Sequence, residues 1–134
     1  MAMRMLGWGC VVLLLAGTLA AEEGDERLKA LLKERLATVK LLAARMEAAF
    51  KAGEVTAERM IEAGEAVLKA ELDLCETAKA CVAVLEKLVE SAKRREGLVE
   101  RMVKAAAAPG TALLKAKASR LEAEIALERA RPKK

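Results

Sequence analysis

Histidine and tyrosine are absent from this 134-residue sequence, which also has only one phenylalanine, one tryptophan and two prolines. Histidine is the usual proton shuttle near neutral pH and the commonest metal ligand, so its absence argues against acid-base catalysis and metal binding. The scarcity of aromatic rings removes the platform on which the bases of single-stranded nucleic acid stack. We therefore expect a non-enzymatic protein with no cofactor, no metal site and no nucleic-acid partner.

The formal net charge of +4 is spread along the chain, because acidic and basic residues are interleaved. Interleaved charges are typical of solvated helix faces. Residues 93–95 form a small basic group, and residues 132–134 are assigned to a basic tail. Helices that lie on membranes usually carry tryptophan or several phenylalanines, whereas Phe50 is the only aromatic residue after position 20. Membrane contact is therefore expected to be peripheral at most.

Residues 1–20 have the composition of a secretory signal peptide. Arg4 precedes an apolar, uncharged run that ends at Leu19 and is shorter than the roughly 20 residues of a comfortable transmembrane helix. Small residues before the boundary favour cleavage after Ala20 or one residue later. The alternatives are an uncleaved membrane anchor and a lipoprotein with its lipid on Cys10. We expect export across the inner membrane to the periplasm or outer envelope.

The composition favours helices throughout. Alanine, leucine, glutamate, lysine and arginine dominate, and these are strong helix formers. No segment alternates apolar and polar residues as a half-buried strand does, so the sequence predicts an all-α fold. The first helix has an apolar face formed by Leu28, Leu32, Leu36, Val39, Leu42, Met46 and Phe50. The last helix continues the apolar pattern with Leu113, Leu114, Leu121, Ile125 and Leu127.

Two short interruptions fall at equivalent places in a repeated segment. Gly53 can adopt the left-handed conformation that ends a helix, and Thr56 can cap the helix that follows. The sequence at 50–74, FKAGEVTAERMIEAGEAVLKAELDL, is similar to VKAAAAPGTALLKAKASRLEAEIAL at 103–127. Pro109, followed by Gly110, interrupts the second copy at the matching position, because proline disfavours helix at and before its own position.

The repeat predicts two antiparallel helical hairpins, at residues 27–76 and 77–131, preceded by a flexible N-terminus at residues 21–26. One hairpin cannot bury its apolar stripe alone, and a second copy gives it a partner. A third turn between the copies would produce an up-down four-helix bundle whose helices share one core.

The joint between the copies contains no glycine or proline. Thr77 can cap a new helix, but a continuous helix from Thr56 to Ala106 is the alternative. On a continuous helix, Cys75 and Cys81 would lie about 9 Å apart along the axis and point about 120° apart, too far for a disulfide. A turn at Thr77 would let the thiols flank it and pair. The other interpretation is two small buried side chains that never meet.

Phe50, Gly53 and Thr56, followed by Met60-Ile61-Glu62-Ala63, resemble the periplasmic tip of the TolC-type outer-membrane efflux proteins. That family is built from two such repeats, and its tip closes a long helical hairpin where adaptor proteins dock. The resemblance covers the hairpin repeats only, and the family's membrane strands have no counterpart here. It implies an envelope location and protein contacts at the hairpin tips. The candidate contact residues are Phe50, Gly53, Thr56 and Arg59 in the first tip, and Pro109 and Gly110 in the second.

The leading functional prediction is an exported, non-enzymatic helical protein that acts through contacts with an adaptor or with itself. Association with efflux or transport assemblies is the most specific form of this prediction. The alternative is a periplasmic chaperone-like or stress-response protein that holds unfolded clients on an apolar face.

Overall fold

A computed structural model describes the backbone of residues 12–134 and the side chains from Ala21 onward. It contains four helices, α1 (Val12–Lys51), α2 (Ala57–Leu74), α3 (Ala78–Lys104) and α4 (Gly110–Ala130), and residues 12–134 include no strand. The predicted all-α class is confirmed.

The first eleven positions of the expected signal peptide lie outside the described residues, and its positions 12–20 form the start of α1. Residues 21–26, expected to be a flexible N-terminus, are helical and continue α1. Alanine and glutamate dominate this stretch and favour helix, which outweighs the single Gly24. No helix in the described part of the chain combines the length and the apolar character needed to cross a membrane.

Threonine side chains begin two of the helices. The Arg59 backbone N–H donates to Thr56 Oγ1 at 3.4 Å, and the Ala80 backbone N–H donates to Thr77 Oγ1 at 3.1 Å. Each bond satisfies one of the donors that a helix N-terminus leaves unpaired. The turn predicted at Thr77 is therefore present, and the alternative of one continuous helix through residues 75–77 is wrong.

Within residues 12–134, close backbone approaches occur only between helices that follow each other in the chain. Ion pairs between α1 and α2 follow the antiparallel order of the first hairpin, in which Lys29 meets Glu76 at 3.2 Å and Lys40 meets Glu71 at 3.7 Å. Arg120 of α4 pairs with Glu96 of α3 in the second hairpin. Because the helices alternate in direction, both hairpin turns lie at one end and the turn at residues 75–77 lies at the other.

The core is shared by three helices. Leu68 and Leu72 of α2 pack against a cluster that α3 and α4 build, which consists of Leu85, Leu88, Val89, Ala92, Ala123 and Leu127. By contrast, α1 packs on α2 alone, and its described side chains include none that is buried. Four of the seven residues of its predicted apolar face are half-buried, while Leu28, Leu42 and Phe50 are exposed. The expectation of one core for all four helices therefore fails for α1, which has a single neighbour.

The apolar face predicted for the last helix is only partly buried, since Leu127 lies in the core and Leu113 is half-buried. Ala116, Ala123 and Leu127 are buried, whereas Leu114, Leu121 and Ile125 are exposed. Small alanine side chains let α4 approach α3 closely, so the face that carries most of the large side chains is turned to solvent.

One ion pair is buried between α2 and α3. Arg95 Nη2 lies 3.0 Å from Glu65 Oε2, and the Glu65 side chain is only 6% exposed. Arg95 also reaches Glu62 at the surface, at 3.1 Å. Glu65 Oε1 and Arg95 Nε have no hydrogen-bond partner. Burial raises the pKa of Glu65, and the nearby charges of Arg95 and Lys69 oppose that rise.

Replacing Arg95 should leave the buried Glu65 carboxylate without its partner. We expect Arg95→Ala to lower the free energy of unfolding by about 3 kcal/mol near pH 7. The loss should be smaller at pH 4. A carboxyl group whose folded-state pKa is raised contributes its stability at low pH and loses it as pH rises above 4.5. Arg95 opposes the rise in the pKa of Glu65, so removing Arg95 makes the loss at pH 7 larger. Urea unfolding at both pH values tests this.

The matched control is Arg94→Ala, because Arg94 is the exposed neighbour of Arg95. It removes the same charge and should change stability by less than about 0.5 kcal/mol. Equal losses for both variants, or a loss for Arg95→Ala that is the same at pH 4 and pH 7, would contradict the assignment.

Candidate protein-contact surfaces

The first hairpin tip is a glycine-closed helix end. Gly53 has a φ of +77°, in the left-handed region. Its N–H donates to the Phe50 carbonyl at 3.0 Å, and the Glu54 N–H donates to the Ala49 carbonyl at 2.9 Å. This pair of bonds is the Schellman arrangement, which satisfies carbonyls that the end of α1 would otherwise leave unpaired.

The second tip repeats that arrangement 53 positions later. Ala106 has a φ of 55°, its N–H donates to the Val103 carbonyl at 3.0 Å, and the Ala107 N–H donates to the Met102 carbonyl at 2.7 Å. Each donor and acceptor corresponds to one in the first tip. The repeat seen in the sequence therefore extends to the backbone hydrogen bonds of both turns, even though alanine replaces glycine at the left-handed position.

The two tips differ at the start of the following helix. Thr56 caps α2 through its hydroxyl, whereas Pro109, at the equivalent position before α4, makes no side-chain cap. Proline still fits there because its φ of −72° is close to the value that its ring imposes. The second tip is therefore closed by its backbone alone.

All six predicted contact residues are exposed, Phe50 among them. Gly53, Thr56, Arg59, Pro109 and Gly110 are all exposed. The antiparallel order of the helices brings both tips to the same end of the molecule. These five residues are thus placed at one end, on two separate hairpins.

Phe50 belongs to a groove beside the first tip. The groove has a volume of about 610 Å³ and lies between α1 and α2, where Phe50, Met60 and Val67 supply large apolar side chains. Gly64 forms part of its wall, and a Cβ added there would meet no atom within 4 Å. At the groove's edge, Lys51 donates to Glu47 at 2.8 Å and lowers the pKa of that carboxyl group. The groove therefore presents an apolar surface beside the first tip.

The second tip borders a more polar groove of about 580 Å³. Pro109 and Thr111 lie on one side of it, and Glu58 and Glu62 of α2 lie on the other. Arg95 and Lys115 also line it, so charges of both signs are present. The groove places the second tip beside the first turn of α2, which connects the surfaces of the two hairpins.

Cys75 and Cys81 are joined by a disulfide, with their Cα atoms 5.4 Å apart. The bond spans the turn between α2 and α3, at the end opposite the tips. Of the two arrangements that the sequence left open, the structure contains the bridged one. In the described portion of the chain, no three His, Cys, Asp or Glu side chains are grouped as a metal site requires.

Sequence reasoning missed the exposed apolar side chains of α4, Leu114, Leu121 and Ile125, as contact candidates. The signal was present in their spacing, because these residues fall on the side of the helix opposite Ala116 and Ala123.

Comparison with protein-family profiles, curated protein sequences and solved structures gives no match for this chain.

The left-handed positions of the two tips should respond oppositely to substitution. Ala106→Gly should raise the free energy of unfolding by about 1 kcal/mol, because glycine relieves the contact of Cβ with the backbone. Gly53→Ala should lower it by about 1 kcal/mol for the same reason. Thermal unfolding followed by circular dichroism measures both effects.

Ala105→Gly is the matched control, since Ala105 is the preceding turn residue and has a φ of −84°. That variant should not gain stability, because its backbone conformation suits alanine. A gain equal to that of Ala106→Gly would mean that backbone strain is not the cause.

The disulfide should stabilise the turn at residues 75–77. The double variant Cys75→Ser, Cys81→Ser should lose about 2 kcal/mol of unfolding free energy, because a short cross-link still restricts the unfolded chain. Adding a reductant should destabilise the unmodified chain by a similar amount and leave the double variant unchanged. If a reductant has no effect on the unmodified chain, the bridge makes no contribution to stability.

Proposed function

We propose that this chain is a non-enzymatic helical protein of the cell envelope that acts through protein-protein contacts at its hairpin tips. The observation that carries the proposal is the pair of tips with equivalent backbone hydrogen bonds, exposed at one end of the molecule. Two similar turns that the fold presents together form a repeated docking surface. Such a surface suits a partner that is itself repeated or oligomeric.

The resemblance to the TolC-type tip suggests the kind of partner. In that family the equivalent turn is where adaptor proteins dock, so an adaptor of an efflux or transport assembly is the partner we propose. The groove at Phe50 supports this, because it offers apolar side chains beside the turn, in reach of an inserted partner residue. Arg59, exposed in the first turn of α2, adds a positive charge where that family has an acidic residue, so the partner surface here would be acidic.

The envelope location rests on two features. A disulfide between Cys75 and Cys81 suits an oxidising compartment. The first 20 residues have the pattern of a secretory signal. Both features support export, and both are compatible with a protein that works in the periplasm.

A chaperone-like role is the second candidate, and the exposed apolar side chains favour it. Leu28, Leu31, Leu41 and Leu42 of α1 are each more than 40% exposed. An apolar surface on an outer helix can hold an unfolded client. This role predicts that the chain suppresses the aggregation of a reduced, unfolded protein. It also predicts that the double variant Leu31→Ser, Leu41→Ser loses that suppression, and both results together would favour this role over tip docking.

Photo-crosslinking in the native envelope tests tip docking. We place the reactive group at Lys51, which is exposed beside the first tip, and at Lys79 as the control, which is exposed at the opposite end. We expect Lys51 to capture a protein that mass spectrometry identifies as an adaptor or efflux component, and Lys79 to capture none. Phe50→Ser should reduce that capture several-fold, since it removes the ring from the groove.

Two results would contradict the proposal. One is equal capture of the same protein from both positions, which would mean that the tip has no preference. The other is a Lys51 probe that captures only further copies of this chain or nothing at all.

A further inference from the structure

The helix α4 has two apolar faces, and only one of them is covered. Ala116, Ala123 and Leu127 face the core, while Leu114, Leu121 and Ile125 are 68%, 42% and 51% exposed on the opposite side. A helix that is apolar on both sides is normally buried on both sides. Together with Ala118, the three exposed side chains form what we call the outer stripe of α4.

The outer stripe has the spacing of a coiled-coil seam. Leu114, Ala118, Leu121 and Ile125 are separated by steps of four, three and four residues, the alternation that keeps side chains facing a partner helix. Charged residues flank the stripe on both sides. Lys115 and Glu122 lie on one flank, and Lys117 and Glu124 lie on the other. Flanking charges of this kind select the partner and its orientation.

These flanks match those of a second α4 that runs in the opposite direction. In one register, the small Ala118 packs against the large Leu121 of the second copy. Leu114 then meets Ile125 of that copy. The same register places Lys115 opposite Glu122 of the second copy and Lys117 opposite Glu124. Because the pair is symmetric, four Lys–Glu contacts form at once.

Other arrangements lose part of this agreement. A shift of one heptad in either direction sets Lys115 opposite Lys115 or Arg129 of the second copy, and both contacts are repulsive. A parallel pair would still bring Lys117 opposite Glu122 of the second copy, but it would place Ala118 against Ala118 and leave Lys115 facing Gly110. Only the antiparallel register centred between Ser119 and Arg120 satisfies both the seam and the Lys115 flank.

We propose that the chain forms a symmetric homodimer in which the outer stripes of two α4 helices pack antiparallel in this register. The occupant of the exposed stripe is therefore a second copy of the same chain. This inference does not rest on tip docking, since the seam lies on the side of α4 that faces away from the core and needs no further partner.

Charge reversal at one flank provides the main test. Lys115→Glu gives a chain with two acidic residues facing each other across the dimer, and Glu122→Lys gives a chain with two basic ones. Each variant alone should dimerise about tenfold more weakly, because two attractive pairs become repulsive and each exposed pair changes an equilibrium by a factor of about two to five. An equimolar mixture should recover the original affinity as a heterodimer. Sedimentation equilibrium of the full chain measures all three.

Lys79→Glu is the matched control, because it makes the same charge change at an exposed position in the first turn of α3, away from the outer stripe. It should leave dimerisation unchanged. A monomer at every concentration up to about 0.5 mM, or single variants whose mixture shows no recovery, would overturn the proposal.

Cysteine pairing tests the register directly. In a Cys10→Ser background the only free thiol is the one introduced, since Cys75 and Cys81 are bonded to each other. A mixture of Ala118→Cys and Leu121→Cys chains should form a disulfide-linked heterodimer on mild oxidation. Leu114→Cys mixed with Ala118→Cys should not. Efficient self-linking of Ala118→Cys without linking in the first mixture would indicate a parallel pair and overturn the antiparallel register.

Discussion

Burial of the apolar stripe of α3 is the interaction on which the rest of the structure depends. Leu85, Leu88, Val89 and Ala92 of α3 are covered on one side by α2 and on the other by α4. Each large apolar side chain that leaves water contributes roughly 1.5–3 kcal/mol, so this stripe stabilises the fold by several kcal/mol. The outer helix α1 packs on the other side of α2, and the far side of α4 has no neighbour among the described helices.

The duplicated hairpin explains why the two turns share a backbone path although they differ in residue type. The first copy has glycine at the left-handed position and a threonine cap, which together satisfy the helix ends at low conformational cost. The second copy holds the same backbone path with Ala106 and Pro109. That path is maintained because α3 and α4 make the most extensive helix contact in the described chain. Packing between the helices therefore determines the turn, rather than the reverse.

The features that sequence reasoning found are those with local causes. Gly53 and Pro109 act on their own segments of backbone, and Thr77 caps a helix through its own hydroxyl, so helix ends could be predicted from residue type. Which face of α4 is buried could not be, because both faces carry apolar residues with helical spacing. Whether Ala123 or Leu121 lies in the core depends on how closely α3 packs on α4. That distance depends on the whole fold and not on the sequence of α4 alone. The same holds for α1, whose apolar face is predictable although its single neighbour is not.

An arrangement in which each helix touches only its neighbours in sequence has two outer helices, and both carry exposed leucines here. Covering α4 with an antiparallel copy has a consequence for the tips. Both tips of one chain lie at the end where α4 begins, so the tips of the second copy must point the opposite way. A dimer of this kind directs one pair of tips to each end and is suited to bridging two partners.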